Sequence, residues 1–141
     1  MENPAFIHRR LIQFAETDMA GIVHFSAFFR FMEEAEHAFL RSIGLTVYDR
    51  SSPDGLVWPR VAAQCDYHSP ATFEETLETA VRIAELGRKS ATYSFAMSVG
   101  ERKIATGRIT AVCCRYFDEP EGRRMRAVEI PAEVAAKLTA R

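Results

Sequence analysis

The sequence predicts an α+β domain in which an antiparallel β-sheet wraps around one long central α-helix. Three observations carry that prediction. A single extended helical pattern runs from Ser26 to Gly44, alternating apolar residues mark the chain beyond it, and the element order reads strand, long helix, four strands, short helix.

Residues 6–14, F-I-H-R-R-L-I-Q-F, read as the first strand, although Arg9 and Arg10 break its alternation. After a turn at Met19-Ala20-Gly21, Ser26 stands as an N-cap. Phe28, Met32, Ala35, Phe39 and Ile43 then recur at helical spacing until Gly44 supplies a stop. One broad face of this helix is expected to be buried, with Glu33, Glu34 and Glu36 on a solvated face. His37 follows Glu33 by one turn, a spacing that fits an exposed ion pair better than a metal site.

Residues 45–59 have the composition of a loop, with Ser51, Ser52, Pro53, Asp54, Gly55 and Pro59 around the apolar Leu56, Val57 and Trp58. Next, Val61, Ala63, Cys65 and Tyr67 alternate with Ala62, Gln64 and Asp66 in a strand that ends at Ser69-Pro70. Leu77, Val81 and Ile83 mark one face of the following strand, and residues 86–90 (L-G-R-K-S) make a hairpin connection. Ala91, Tyr93, Phe95, Met97 and Val99 give the clearest period-two pattern in the chain. After a turn at 100–103, a last long strand is predicted from Ile104 to Phe117, in which Gly107 marks a bulge or a close approach of backbone. Residues 118–124 read as a charged loop, and Pro131 opens a short terminal helix.

With 141 residues, the chain fits one domain, residues 1–141. A chain of that length buries roughly 70% of the surface its unfolded form exposes. Lys and Arg (18) nearly balance Asp and Glu (19), so no overall field draws the chain to nucleic acid or to an anionic membrane. An anionic ligand must be held by a local basic cluster. The three cysteines, Cys65, Cys113 and Cys114, are odd in number and lack zinc-site spacing, which fits a reduced, cytoplasmic setting. His8, Arg9, Arg10 and Gln13 interrupt any secretory apolar core, and no run of sequence reaches membrane-spanning length. The expectation is a soluble protein that needs no metal and no cofactor. There is no G-x-S-x-G elbow, no G-x-G-x-x-G after a strand and no P-loop lysine motif.

The candidate chemistry lies in residues 16–44. Asp18 sits in a tight turn just ahead of an aromatic-rich helix, near the positive end of the helix dipole and near amide N–H groups without intrahelical partners. Those are the parts of an acyl-transfer site; the plainer alternative is that Asp18 only stabilises the bend. Gly21 permits the tight backbone path.

The run D-M-A-G-I-V-H-F-S-A-F-F-R-F-M, from Asp18 to Met32, resembles the signature of hotdog-fold acyl-CoA thioesterases of the 4-hydroxybenzoyl-CoA thioesterase type. Arg88-Lys89-Ser90 sits where that family carries a basic hairpin turn, and Arg126 to Val134 (R-A-V-E-I-P-A-E-V) is similar to its C-terminal segment. The chain departs from relatives at His24-Phe25, where another branch places a Tyr-His pair, and at Ala27, where many have Asn. The resemblance implies hydrolysis of an acyl-CoA, with an aromatic acyl group as one option. Asp18 would act as nucleophile or as general base on water, with backbone N–H groups near His24 and Phe25 as oxyanion donors. It implies CoA phosphates held by Arg88 and Lys89, with Arg123, Arg124 and Arg126 as further candidates. It also implies a homo-oligomer, a dimer or a tetramer of two dimers, with sites at the subunit junction.

His24 reads as a structural residue at the helix entrance. Among the aromatics, mostly core, Trp58 is the best candidate to touch the acyl group. Two other functions compete: a hotdog hydratase or dehydratase of acyl thioesters, which would want a histidine and an acid in one pocket, and a non-catalytic acyl-thioester-binding module.

Overall fold

The computed structural model describes residues 5–48 and 55–140. The chain runs β1 (Phe6–Leu11), a 3-10 turn (Phe14–Glu16), α1 (Ala27–Ser42), β2 (Arg60–Tyr67), β3 (Thr76–Leu86), β4 (Ser90–Val99), β5 (Arg102–Val112), β6 (Cys114–Glu119), β7 (Gly122–Ala127) and α2 (Ala132–Thr139). It is an antiparallel sheet with two helices. Five strands pair in the order β1-β3-β4-β5-β2, and β6 and β7 form a separate hairpin.

The predicted helical spacing is the one that packs. Phe28, Phe31, Met32, Ala35 and Phe39 of α1 are buried against Leu77 and Val81 of β3 and Tyr93, Phe95 and Met97 of β4. Removing such side chains from water is the main stabilising term. At Gly107 of β5 helix and sheet lie close together: a Cβ there would collide with Met32 Sδ and lie 3.0 Å from the Gln64 carbonyl oxygen. Close approach, not a bulge, explains this glycine. Gly44, at φ +78°, follows the C-cap Ile43 and ends α1 as expected.

Several expectations need correction. The first strand stops at Leu11, because Ile12 donates its N–H to the Glu75 carbonyl and the chain then turns. Of the predicted 45–59 loop, Ser51, Ser52, Pro53 and Asp54 lie outside the described residues. The predicted strand from Ile104 to Phe117 is two strands. Cys113 interrupts it, donating to the Lys89 carbonyl and accepting from Val128, and the chain leaves the large sheet to pair with β7. The predicted charged loop is therefore the tip of a hairpin, and among the described residues six strands follow α1 rather than four. β7 (G-R-R-M-R-A) is exposed at every position, so it has no buried face and no period-two signal.

The helix acids do not share a solvated face. Glu36 is 1% exposed and accepts from both terminal nitrogens of Arg60 at 2.9 and 2.5 Å, which ties the middle of α1 to the start of β2. Burial pushes the Glu36 carboxyl up, against the opposing pull of the Arg60 guanidinium. Glu33 approaches Arg60 at 3.6 Å and Glu34 accepts from Arg10 Nε at 2.9 Å. Glu33 thus pairs with Arg60 rather than His37, whose Nε2 is buried without a partner.

β2 is an edge strand with its residues largely exposed, Val61 at 64% and Tyr67 at 47%. Cys113 and Cys114 are buried free thiols, and burial raises the Cys113 thiol to about 11. Among the described residues, no helix is long and apolar enough to cross a membrane.

Candidate active site

The segment between the 3-10 turn and α1 is a closed loop. Thr17 and Val23 form an isolated antiparallel bridge, so residues 18–22 must reverse direction within five positions. Asp18 organises that reversal. Its N–H donates to the Ile22 carbonyl (2.9 Å), its carbonyl accepts from Gly21 N–H (2.9 Å), and its Oδ1 accepts from Ala20 N–H (2.8 Å). Gly21 completes the turn at φ +83°, in the left-handed region that a side chain disfavours.

This geometry meets part of the plain expectation for Asp18, since one carboxylate oxygen does brace the bend. Among the described residues, the other oxygen accepts from no donor and no cation pairs with the side chain. Asp18 is half-buried and lines a cavity of about 400 Å³ with Val23, Phe25, Phe28 and Tyr67, closed by residues 68–71.

The loop is anchored on both sides. Val23 donates its N–H to the Ala71 carbonyl (2.8 Å) and His24 donates its N–H to the Glu16 carbonyl (2.9 Å). The His24 amide is therefore already occupied and is removed from the oxyanion donors. Among the described residues, the Phe25 N–H has no acceptor. It stands just before α1, at the positive end of the helix dipole. Ser26 occupies the N-cap position but makes no side-chain cap; its hydroxyl lies 2.8 Å from His24 Nδ1. His24 is thus engaged in local structure, and it does not line the Asp18 cavity.

Glu16 secures the loop from below. Its carboxylate accepts from Arg10 and from the Gln13 N–H (2.8 Å), and Arg10 also holds Glu34 and stacks over the Phe31 ring at 4.4 Å. Burial alone would raise the Glu16 carboxyl, but the Arg10 guanidinium and the Gln13 amide hold it below the ordinary carboxylate range.

Three lining residues went unread in the sequence. The Tyr67 hydroxyl donates to the Phe25 carbonyl oxygen (2.9 Å) and the ring meets Phe28 edge to face, centroids 5.4 Å apart. His68 Nε2 lies 3.0 Å from Thr106 Oγ1, and the Ser69 hydroxyl donates to the Lys103 carbonyl. Their one sequence signal is a run of polar side chains where a strand ends before Pro70, which reads equally well as an ordinary turn.

The remaining candidates lie elsewhere in the chain. Trp58 lines a different cavity, beside α2. Arg88 and Lys89 form the β3–β4 turn; Arg88 is paired with Glu129 and its carbonyl accepts from Ile130 N–H at 2.8 Å. Strand alternation splits the later arginines. Arg124 and Arg126 share one face of the β6–β7 hairpin, where Arg126 is held by Glu119 at 2.6 and 2.7 Å, while Arg123 lies on the other, over the Tyr116 ring at 4.3 Å. None of these five cations lines the Asp18 cavity. Among the described residues, no group of three or more His, Cys, Asp or Glu is placed to hold a metal ion.

Asp18, with one unengaged carboxylate oxygen, and Phe25, whose amide lacks an acceptor, thus line one largely apolar cavity, and such groups are the parts that acyl transfer needs. Comparison with known proteins agrees with that class. The profile described as Thioesterase-like superfamily matches residues 12–138, and the chain belongs to that superfamily. Among its relatives are an Aquifex aeolicus protein whose esterase name is itself provisional, 36% identical over 94% of this chain and 97% of that one. A 1,4-dihydroxy-2-naphthoyl-CoA hydrolase of Synechococcus elongatus is 28% identical over 74% of this chain and 78% of its own. The 4-hydroxybenzoyl-CoA thioesterase of Pseudomonas sp. (strain CBS-3) is 28% identical over 86% and 89%. The crystal structure of a hypothetical protein from Aquifex aeolicus superposes with a TM-score of 0.82 at 32% identity, over 94% of this chain and 98% of that one.

Proposed function

We propose that this protein is a hotdog-fold acyl-CoA thioesterase that uses Asp18 to hydrolyse an acyl-CoA to the free acid and coenzyme A. The observation that carries the reading is the shared cavity of the unengaged Asp18 oxygen and the Phe25 residue whose N–H lacks an acceptor. In the nucleophilic route the carboxylate attacks the thioester carbonyl, the thiolate leaves and water opens the mixed anhydride. In the general-base route Asp18 takes a proton from water as that water attacks, then returns it to the sulfur, which leaves as the thiol. Both routes put negative charge on the carbonyl oxygen, where a preformed amide such as Phe25 N–H contributes about 3 to 4 kcal/mol.

An aryl acyl group is the favoured substrate class, because Phe25, Phe28 and Tyr67 line the cavity and because two of the relatives are named for aryl-CoA substrates. The test is release of thiol from a panel of aryl and aliphatic acyl-CoA esters by the parent and by Asp18→Asn. Aryl-selective release in the parent and a drop of about 10²- to 10⁴-fold in kcat in the variant support the reading. Tight binding without release would favour an acyl-binding module, and hydration of an enoyl ester would favour a hydratase.

The CoA phosphates would be gripped by Arg88 and Lys89 of a second copy, since one chain does not bring them to Asp18. The exposed edge of β2, with Tyr67 at its end, is a surface that a second copy would cover. Mixing Asp18→Asn chains with chains carrying Arg88→Ala and Lys89→Ala tests this directly. Mixed dimers would regain one intact site, so activity should rise above that of either variant alone. A mixture no more active than its components would refute the shared site.

A further inference from the structure

At the end of α1 remote from Asp18, a second cavity of about 370 Å³ lies between the last turn of α1, residues 55–58, the start of β6 and α2. Leu40, Leu45, Leu56, Trp58, Val134 and Leu138 form its apolar wall, and Thr46, Arg115 and Glu133 add polar side chains to the lining. Its volume is that of a small-molecule site.

Among the described residues, Arg115 is the cation in its lining, and Lys137 Nζ lies near Gly44 at its rim. The Arg115 Nε is buried without a hydrogen-bond acceptor, and the side chain has no ion-pair partner among the described residues. Across the hairpin Arg115 faces Arg126, another cation, whose own charge is already engaged by Glu119. Like charges directly opposite on a ladder repel. Glu133 also lines the cavity, but it stands exposed in the first turn of α2 and makes no ion pair with Arg115. A buried donor on a permanent cation is costly to leave unsatisfied. A ligand carboxylate would relieve it, accepting from Nε and a terminal nitrogen in the forked geometry that guanidinium favours.

We propose that this cavity is a second binding site, separate from the Asp18 pocket, for a small apolar or aromatic monocarboxylate. The carboxylate sits on Arg115 and the hydrocarbon part lies against Trp58, Leu40 and Val134. The proposal does not depend on chemistry at Asp18, although the free acid released by thioester hydrolysis belongs to the same ligand class.

Trp58 is the one tryptophan of the chain, so its fluorescence reports on this cavity alone. The experiment titrates the full-length protein with benzoate, phenylacetate and octanoate, with the matching neutral amides, and with inorganic phosphate. At least one carboxylate should give a saturable change, about 10-fold tighter than its amide and tighter than phosphate. The response should persist in Asp18→Asn, weaken about 10-fold in Arg115→Gln and vanish in Val134→Phe, which fills the cavity. Far-UV circular dichroism shows whether each variant is folded; should Arg115→Gln fail to fold, the amide comparison and Val134→Phe decide. The proposal is overturned if no carboxylate saturates, if amide or phosphate binds as well, if folded Arg115→Gln keeps full affinity, or if Asp18→Asn abolishes the response. Because thiol release is measured separately, failure here and failure of the thioesterase reading are distinguishable.

Discussion

The two ends of α1 carry cavities of nearly equal volume, about 400 Å³ at the start and about 370 Å³ at the finish, yet they are built from opposite materials. At the start, negative charge is met by backbone: Ala20 N–H holds one Asp18 oxygen and Phe25 N–H lacks an acceptor. At the finish the orphan groups of a helix are carbonyls, and three are already taken, Phe39 by the Ser42 hydroxyl, Leu40 by Ile43 and Leu45, and Arg41 by Gly44. The dipole there repels an anion. An anion bound at that end must be held by a side chain, and among the described residues Arg115 is the cation in the lining. On the readings proposed above, helix polarity sorts a reactive end from an end that binds.

The largest expected effect breaks that division if it is wrong. Asp18→Asn should lower kcat for thiol release by about 10²- to 10⁴-fold, while Arg115→Gln leaves it within about twofold, as a residue at a separate site should. Equal losses in both would mean that the two cavities work as one site.

Between the two ends, the Glu36–Arg60 pair fastens the middle of α1 to β2. Removing the Glu36 charge leaves Arg60, partly buried, with only the 3.6 Å contact to Glu33 among the described residues, which costs up to about 3 kcal/mol. Glu36→Gln should therefore lower the denaturant midpoint without favouring either end, so thiol release and Trp58 fluorescence should be lost in a single transition. Two separate transitions would show that the ends unfold independently. Glu36 also shows where sequence reading fails. Glu33, Glu34 and Glu36 follow one another as a polar run, and nothing local says that the third turns inward, because its partner lies 24 positions away in a segment that reads as loop and strand.

A subtler contrast separates the ends by one hydroxyl. Tyr67 reaches from β2 to the Phe25 carbonyl at the start of α1 and touches nothing at its finish. Tyr67→Phe should cost about 1 kcal/mol, read as a roughly fivefold loss in kcat with carboxylate binding beside Trp58 unchanged. A variant with unchanged kcat would show that Phe25 is held by α1 alone.

The legible part of this protein is its local part. The bend at Asp18, the Gly21 turn, the helix from Ser26 to Gly44 and the proline-led α2 are all specified within a few residues, and the sequence points to each. What it does not reveal is which segments meet. Trp58 is apolar in a polar stretch, which marks it as buried but not beside which cavity. Tyr67, His68 and Ser69 join the Asp18 pocket only because β2 pairs with β5 in a register that ends there. The split at Cys113 is invisible for the same reason, since V-C-C is equally apolar whichever partner each residue takes.

The smallest expected effect is a difference in acid sensitivity. The Glu16 carboxyl is held below its ordinary range by Arg10 and Gln13, against burial, and the Glu16 carbonyl holds the His24 amide. A carboxylate with a depressed folded value contributes stability that is fully present above the ordinary carboxylate range and is lost as pH falls through the folded value. The loop before α1 should thus loosen on acidification, through protonation of Glu16, before the Leu45 turn does. Amide exchange followed by NMR as pH is lowered would show it, with the His24 amide losing protection ahead of Leu45. In Glu16→Gln that early loss should disappear from the pH profile, because the variant has no proton to take up there. A profile identical to the parent would show that another group governs the acid response at the Asp18 end.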